Sequence, residues 1–336
     1  MLWVNPYPTR FPKLSDTLIR MRKPAYSKTK TPDWLRVITP RVLPIEPIPF
    51  SWILNHLLWK DVVSSIHRFA NNSTILGIGK PSLLAIQLLS KKIGTRSFYD
   101  VMDDFPEFYK GFSRMAMAQR ERSILQKVST IITSSTVLRE RLKTNGNDVR
   151  LILNACASDR LPEPVNHQNF RKEGHIVLGY IGTMAYWFDW TLLIALAKSC
   201  PEAEFRLIGP VYTQPPLSLP DNVYLQPPLS HDKAMEAMTG FDVGLIPFKI
   251  VPLTSSVDPI KYYEYRSMGL PVISSSFGEM VLRKESDGVF KVNKGSNMKG
   301  IIERSLTRGK DLENTVQFRK NNSWESRFDK GNMFDL

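Results

Sequence analysis

Lys261 and Glu264 stand three residues apart, between Pro259 and the Gly269-Leu270-Pro271 triplet. Proline suits the first turn of a helix, and glycine followed by proline marks its end, so the stretch predicts a short helix. Spacing of three puts the cation and the carboxylate on one face. A helix N-terminus with a lysine beside it attracts phosphate, and a carboxylate nearby can accept hydrogen bonds from ribose hydroxyls. The same spacing also describes an ordinary surface ion pair, and taken alone the stretch favours that plainer reading. Pro271-Val-Ile-Ser-Ser then reads as a short buried strand.

A second stretch with chemistry is Gly179-Tyr-Ile-Gly182-Thr183. Gly182 lets the backbone come close to a phosphate and Thr183 adds a hydroxyl, although any tight turn also asks for glycine. Tyr186, Trp187, Phe188, Asp189 and Trp190 follow as an aromatic patch opening a helix, with Asp189 placed as its N-cap. The patch either packs the domain or lines a sugar pocket. Asp242, just before Val243-Gly-Leu-Ile-Pro, reads as a structural cap rather than a catalyst. The acids Asp100, Asp103 and Asp104 close the strand around Phe98–Val101, where a solvated turn with an N-cap role is the plain alternative to proton transfer.

The elements that must position these residues alternate between strand and helix. A strand running into a turn is expected at 2–8, a strand ending in acids at 96–105, and further strands at 35–39, 74–79, 130–133 and 149–153, with helices at 50–70, 82–93, 113–127 and 135–143. The pattern restarts at Ile176 with a strand, then helix 189–200, strands from 204 and 223, helix 232–239, strands at 243 and 271, strand 289–292, and helices 296–308 and 311–329. Such alternation indicates parallel, doubly wound α/β sheets. Residues 155–175, with Pro162, Pro164, Asn166 and Gly174, have few large aliphatics and read as a linker. Two such half-chains give a cleft outside the strand C-termini, where ligands bind. The apolar stripe of 50–70 is too wide for a free surface helix. It is read as a core helix, the alternative being one that meets a membrane interface through Trp52 and Trp59.

The 336 residues have room for two cores, and 42% apolar with 23% charged residues describes a globular protein. Two cysteines, Cys156 and Cys200, and five scattered histidines suggest no disulfide framework and no metal site, which fits a reducing cytoplasm. No window is long and apolar enough for a transmembrane helix, and the N-terminus lacks a signal-peptide pattern. The net charge of +13 is uneven: residues 1–150 carry 24 Lys+Arg against 11 Asp+Glu, and residues 151–336 carry 21 of each. Residues 20–33 form a basic loop within that excess. The asymmetry suggests a first domain facing an anionic lipid surface. Nucleic acid is not expected, because no basic–aromatic motif accompanies the charge.

Pro259, Lys261, Glu264, Tyr265, Gly269, Pro271 and Val272 together resemble the donor-binding signature of GT-B glycosyltransferases, matching seven positions in fourteen. The resemblance is strongest over 176–275 and suggestive at 96–112. It implies two Rossmann-like domains facing each other across a cleft. These would be a basic, membrane-facing acceptor domain at 1–154, a linker at 155–175, a nucleotide-sugar domain at 176–310, and a C-terminal helix at 311–336 crossing back. Trp324 and Arg327 would anchor that helix. The first domain's opening βα unit reads as truncated or degenerate. In the family the glutamate, here Glu264, holds the ribose, and the basic residue, here Lys261, faces the diphosphate. The resemblance adds Gly182, Thr183, Gly209 and Asp258 to the donor side and makes Asp103 or Asp104 the general base. Many retaining members carry a second glutamate where this chain has Ser256; Asp258 is the nearest acid, so stereochemistry stays open.

The implied activity is a metal-independent, hexosyltransferase-like transfer with no cofactor. The sugar would pass from a nucleotide-sugar, UDP-linked, to a lipid-linked saccharide or growing surface polysaccharide, of the teichuronic acid, capsule or exopolysaccharide kind. The site would lie in the cytoplasm, peripheral to the inner face of the cell membrane. The alternatives are a nucleotide-sugar epimerase on the same fold and a catalytically inactive binding subunit.

Overall fold

The computed structural model describes residues 1–9, 31–43, 46–48, 51–143, 148–164, 176–216, 218–307 and 312–331. It divides into two compact units, the first Met1–Thr133 with Arg141–Arg150, the second Ser134–Glu140 with the residues from Leu151 on.

The first unit holds two parallel sheets. β1 (Leu2–Val4) pairs with β2 (Arg36–Ile38), while β3 (Ile75–Ile78), β4 (Arg96–Val101), β5 (Thr130–Thr133) and β6 (Asp148–Leu151) form a four-stranded sheet in that order. Its helices are α1 (Ser51–Leu58), α2 (Lys60–Phe69), α3 (Leu83–Ser90), α4 (Gly111–Leu125) and α5 (Thr136–Leu142), the last running across the division between units. A core of Tyr7, Trp59, Val62, Val63, Ile66, Leu84, Leu88 and Ile93 fixes α2 and α3. Glu46 is buried, accepts from Tyr7 Oη at 2.5 Å and pairs with Arg120 Nε at 3.3 Å. Burial pushes the carboxyl above its ordinary range, against the pull of Arg120.

The expected helix over 50–70 is interrupted at Trp59, whose backbone still bonds to Asn55 O at 3.0 Å and from Val63 N at 2.8 Å. Its core assignment holds for α2. It fails for α1, where Ile53, Leu54 and Leu57 are exposed and polar Asn55 is buried. Trp59 is itself buried, so it faces no interface. The side chain of Trp52 and most of the basic loop 20–33 lie outside the described residues.

The second unit is one six-stranded parallel sheet in the order β12-β11-β10-β7-β8-β9. The strands are β7 (Ile176–Ile181), β8 (Ala203–Ile208), β9 (Val223–Gln226), β10 (Val243–Ile246), β11 (Val272–Ser274) and β12 (Val289–Lys291). The chain adds strands outward on one side of β7, then returns to its other side with β10. The direction of winding therefore switches between β7 and β10, and ligands bind beyond the carboxyl ends at such a switch. Burial on both faces explains the unbroken apolar run Val243-Gly-Leu-Ile. Helices α6 (Trp190–Ser199), α7 (His231–Ala237), α8 (Ile260–Ser267), α9 (Met298–Thr307), α10 (Leu312–Asn321) and α11 (Trp324–Lys330) complete the unit.

Two boundaries differ from expectation. The first domain does not run to 154: the chain passes to the second unit at Leu151, and 134–140 also belong there, Glu279 Oε1 accepting from Thr136 N and Oγ1 at 2.6 Å each. Of the expected linker 155–175, Ala155 and Cys156 are buried, and Cys156 N donates to Asn322 O at 3.0 Å; 165–175 lie outside the described residues. The helix expected over 311–329 is two. Ser323 leaves helical geometry, bridges to Cys156, and caps α11 by accepting from Ser326 N at 3.2 Å. In the second unit Phe318 of α10 packs edge-on to Tyr262 of α8 at 5.7 Å, and Arg327 Nε of α11 donates to Asn154 O at 3.2 Å. Trp324 stacks on Phe328 at 5.6 Å. Among the described residues no helix is long and apolar enough to cross a membrane.

Candidate functional site

The ends of β7 and β8 meet at two glycines. Gly182 has φ +147° and Gly209 φ +143°, a region that side chains avoid. Gly182 N donates to Ile208 O at 2.9 Å, and Gly209 N donates to Gln226 O at 3.1 Å, so both turns continue the sheet's bonding past its last residues. A Cβ on Gly209 would stand 2.2 Å from Gly182 O. A Cβ on Gly182 would meet Lys261, 2.5 Å from Cε and 2.7 Å from Nζ. The lysine thus lies directly on the glycine backbone, its Nζ also 5.6 Å from the ring centre of Tyr180.

Helix α8 brings Lys261 there because its inner face is aromatic. Tyr262, Tyr263 and Tyr265 are buried, and Tyr265 fits against Gly244 of β10, where a Cβ would stand 2.3 Å from the ring. Tyr265 Oη accepts from Ile181 N at 3.1 Å, which ties the helix to the end of β7. Burying three tyrosines, at roughly 1.5–3 kcal/mol for a large side chain, outweighs the cost of half-burying Glu264 between them. The N-cap position is Pro259, which makes no side-chain capping bond, so the first amides of α8 have no side-chain cap.

The surface ion pair is not formed. Among the described residues neither the Lys261 nor the Glu264 side chain has a hydrogen bond or a salt bridge, though each feels the other's charge. Burial lowers the Lys261 ammonium below its ordinary range, and Glu264 opposes that shift. Burial raises the Glu264 carboxyl, with Lys261 and then His231 pulling it back. His231, the first residue of α7, is therefore close enough to act on Glu264, and no local pattern in the sequence marks it.

Other predicted residues take different places. Thr183 is half-buried beside the cradle, and its carbonyl accepts from Tyr180 Oη at 2.9 Å. Asp258 is 2% exposed and turns inward: Oδ2 accepts from Asn154 N at 2.8 Å and Tyr263 Oη at 2.7 Å, and Oδ1 lies 3.8 Å from Arg283 Nη2. Burial pushes its carboxyl up to about 6 despite those partners. It positions the start of α8 and does not stand free for a ligand. Ser256 is buried and donates to Leu253 O at 3.3 Å. Asp242 Oδ2 accepts from Val177 N at 2.9 Å, a structural role as expected. The aromatic patch splits: Phe188 and Trp190 are core, Tyr186 is 46% exposed, and Asp189 caps α6 through Leu192 N at 3.0 Å.

In the first unit, Asp103 and Asp104 follow the C-terminal end of β4. Asp104 Oδ2 is 2.7 Å from Arg141 Nη1, and the same guanidinium is 3.6 Å from Glu121, which also accepts from Tyr99 Oη at 3.1 Å. Asp104 heads the 3-10 turn 105–108 without a side-chain capping bond. The Asp103 carboxylate has no hydrogen bond or salt bridge among the described residues. Burial, with Asp104 and Asp100 nearby, pushes it up to about 6; burial does the same for Asp100. The structure thus brings together Gly182, Thr183, Gly209, Lys261 and Glu264. Asp258 serves as their support, and Asp103 and Asp104 lie in the other unit.

No protein-family profile matches the chain. A curated relative, a putative teichuronic acid biosynthesis glycosyltransferase of Bacillus subtilis strain 168, is 28% identical over 181 residues, which is 49% of this chain and 45% of the relative, less than half of that protein's length. Among solved structures, the sucrose-phosphate synthase of Thermosynechococcus elongatus superposes with a TM-score of 0.69 at 15% identity, covering 93% of this chain and 86% of that one. HepE of Anabaena in complex with UDP-glucose gives 0.64 at 15% identity, covering 90% and 86%. The trehalose 6-phosphate synthase of Burkholderia multivorans gives 0.59 at 10% identity, covering 84% and 76%. With its parallel α/β units and these superpositions, the chain has the GT-B fold of the glycosyltransferases.

Proposed function

We propose that the protein is a glycosyltransferase that takes a sugar from a nucleotide-sugar, UDP-linked, and passes it to a hydroxyl of a lipid-linked saccharide or growing surface polysaccharide. The observation that carries the donor half is the pair Lys261 and Glu264, sheltered and with side chains free of hydrogen bonds and salt bridges among the described residues, at a backbone cradle of two positive-φ glycines. The ammonium and the uncapped amides of α8 meet the diphosphate, and Glu264 accepts the ribose hydroxyls. As the bond from the anomeric carbon to the β-phosphate oxygen breaks, charge builds on the departing diphosphate, and Lys261 stabilises it without a metal ion. A new bond forms from that carbon to the acceptor oxygen, whose proton passes to Asp103. A carboxylate with a pKa of about 6 is a better proton acceptor than an ordinary aspartate and is still ionised at neutral pH. Asp104, held by Arg141, keeps the loop in place.

The curated relative supports the surface-polysaccharide acceptor, and HepE, crystallised with UDP and with UDP-glucose, supports the donor. The basic first half supports work at the inner face of an anionic membrane, in the cytoplasm, as a peripheral protein. Calorimetric titration of Glu264→Ala with UDP tests the reading. Two lost hydrogen bonds to a charged group, at about 1.5–3 kcal/mol each, weaken UDP by at least about 100-fold while the circular dichroism spectrum is unchanged. Unaltered UDP affinity would sink the ribose assignment.

A further inference from the structure

Helix α1 is inside out. Asn55, a polar residue in its middle, is 0% exposed and held from both sides by the backbone of Leu43, whose N donates to Oδ1 at 2.8 Å and whose O accepts from Nδ2 at 3.2 Å. The leucines and isoleucine face water instead: Ile53 is 49% exposed, Leu54 53%, Leu57 59% and Leu58 39%. Positions 53, 54, 57 and 58 share one side of a helix. Leu43 and Ile48, on the approach to the helix, are exposed as well. Single exposed apolar residues are ordinary, but a run of this kind on a helix with no Lys, Arg, Asp or Glu marks a surface that something covers. The next helix, α2, behaves normally, with Val62, Val63 and Ile66 in the core.

Resting on the membrane reading above, we infer that α1 is the element that enters an anionic lipid surface, lying in the interface with Ile53, Leu54 and Leu57 toward the acyl chains. Charge complementarity favours lipid: the excess of 24 basic over 11 acidic residues lies wholly in residues 1–150, and Arg41 and Lys60, flanking the helix, are exposed. Its size argues against a second copy of the chain as the occupant. Eight residues of helix span roughly 12 Å and are about 10 Å across, a face on the order of 120 Å², small against the roughly 800 Å² that each partner of a stable complex buries. An interfacial helix needs only its apolar face and nearby cations.

The test is flotation of the full chain with vesicles of phosphatidylglycerol and phosphatidylcholine, and with phosphatidylcholine alone. Wild type is compared with the triple variant Ile53→Ser, Leu54→Ser, Leu57→Ser. A second variant, Leu54→Cys, carries an environment-sensitive fluorophore; Cys156 and Cys200 are buried, so the label goes to position 54. Wild type floats with the anionic vesicles, the triple variant partitions at least about tenfold more weakly, and the fluorophore shifts to the blue and is quenched by brominated lipid. UDP titration and thermal unfolding of the triple variant match wild type. Equal flotation of both proteins with no blue shift overturns the role of α1 and leaves the membrane reading standing. Failure of wild type to float overturns both. A wild-type dimer in light scattering that the triple variant converts to monomer also overturns the inference, since the face would then cover a second copy. Loss of UDP binding by wild type would count against the donor reading alone.

Discussion

The end of β4 in the first unit and the end of β7 in the second occupy the same kind of place, past the carboxyl edge of a parallel sheet, yet they are built from opposite materials. At β7 the chain removes side chains: two glycines expose backbone, and a single cation rests on it. At β4 it adds them: Asp104 and Glu121 share one arginine, Arg141, and Asp103 lies within reach of the charges of Asp104 and Asp100. Bare backbone and a lysine suit a diphosphate, which brings its own negative charge. Crowded, partly buried carboxylates hold their protons more tightly, which suits proton transfer. The shared strand-end position therefore selects where a site sits, and the local charge selects its role.

That division of labour can be broken one side at a time. Asp103→Asn has the largest expected effect: turnover falls about 10²–10⁴-fold, the usual worth of a general base, while the UDP dissociation constant measured by calorimetry is unchanged. A larger loss from Asp104→Asn than from Asp103→Asn would reverse the assignment within the acidic loop. Lys261→Met acts on the other side, weakening UDP by about 10- to 100-fold, as expected for one charge-assisted bond of about 1.5–3 kcal/mol. Should Lys261→Met leave UDP binding intact, the cradle is not the phosphate site. The smallest effect is in pH. Asp103 is raised to about 6 and acts only when ionised, so turnover at saturating donor climbs as pH rises through about 6 and levels above it. Below that point it falls by about tenfold per pH unit. In Asp103→Asn the same inflection disappears; its persistence there would mean that another group is titrating.

Much of the donor side is legible from residue spacing. Pro259, Lys261, Glu264 and Gly269 delimit a helix and its charged face, and Gly182 stands where a turn must bring backbone close. Three things about that side are not legible. A separation of three residues makes an ion pair available, and only the packing of Tyr265 against Gly244 and the end of β7 turns Lys261 onto Gly182 instead. Asp258 reads as one more acid near the motif, until Asn154, more than a hundred residues earlier, is seen to bond to it. His231 likewise acquires its effect on Glu264 through the fold alone.

Local sequence, then, determined what depends on neighbours along the chain. This includes the alternation of strands and helices, the cap at Asp189, the glycine turns, and the excess of charge in the first half. Periodicity and capping are short-range, so they survive being read in one dimension. Tertiary structure decided what depends on partners far away in sequence. It decided which acid is spent on an arginine and which is left open, and which of two apolar helices at 51–69 goes inside. α1 and α2 are both rich in aliphatics, and the pattern of either one permits a core position. Asn55 finds its two hydrogen bonds at Leu43, and once that polar group is satisfied inside, the leucines of α1 have only the outer face left.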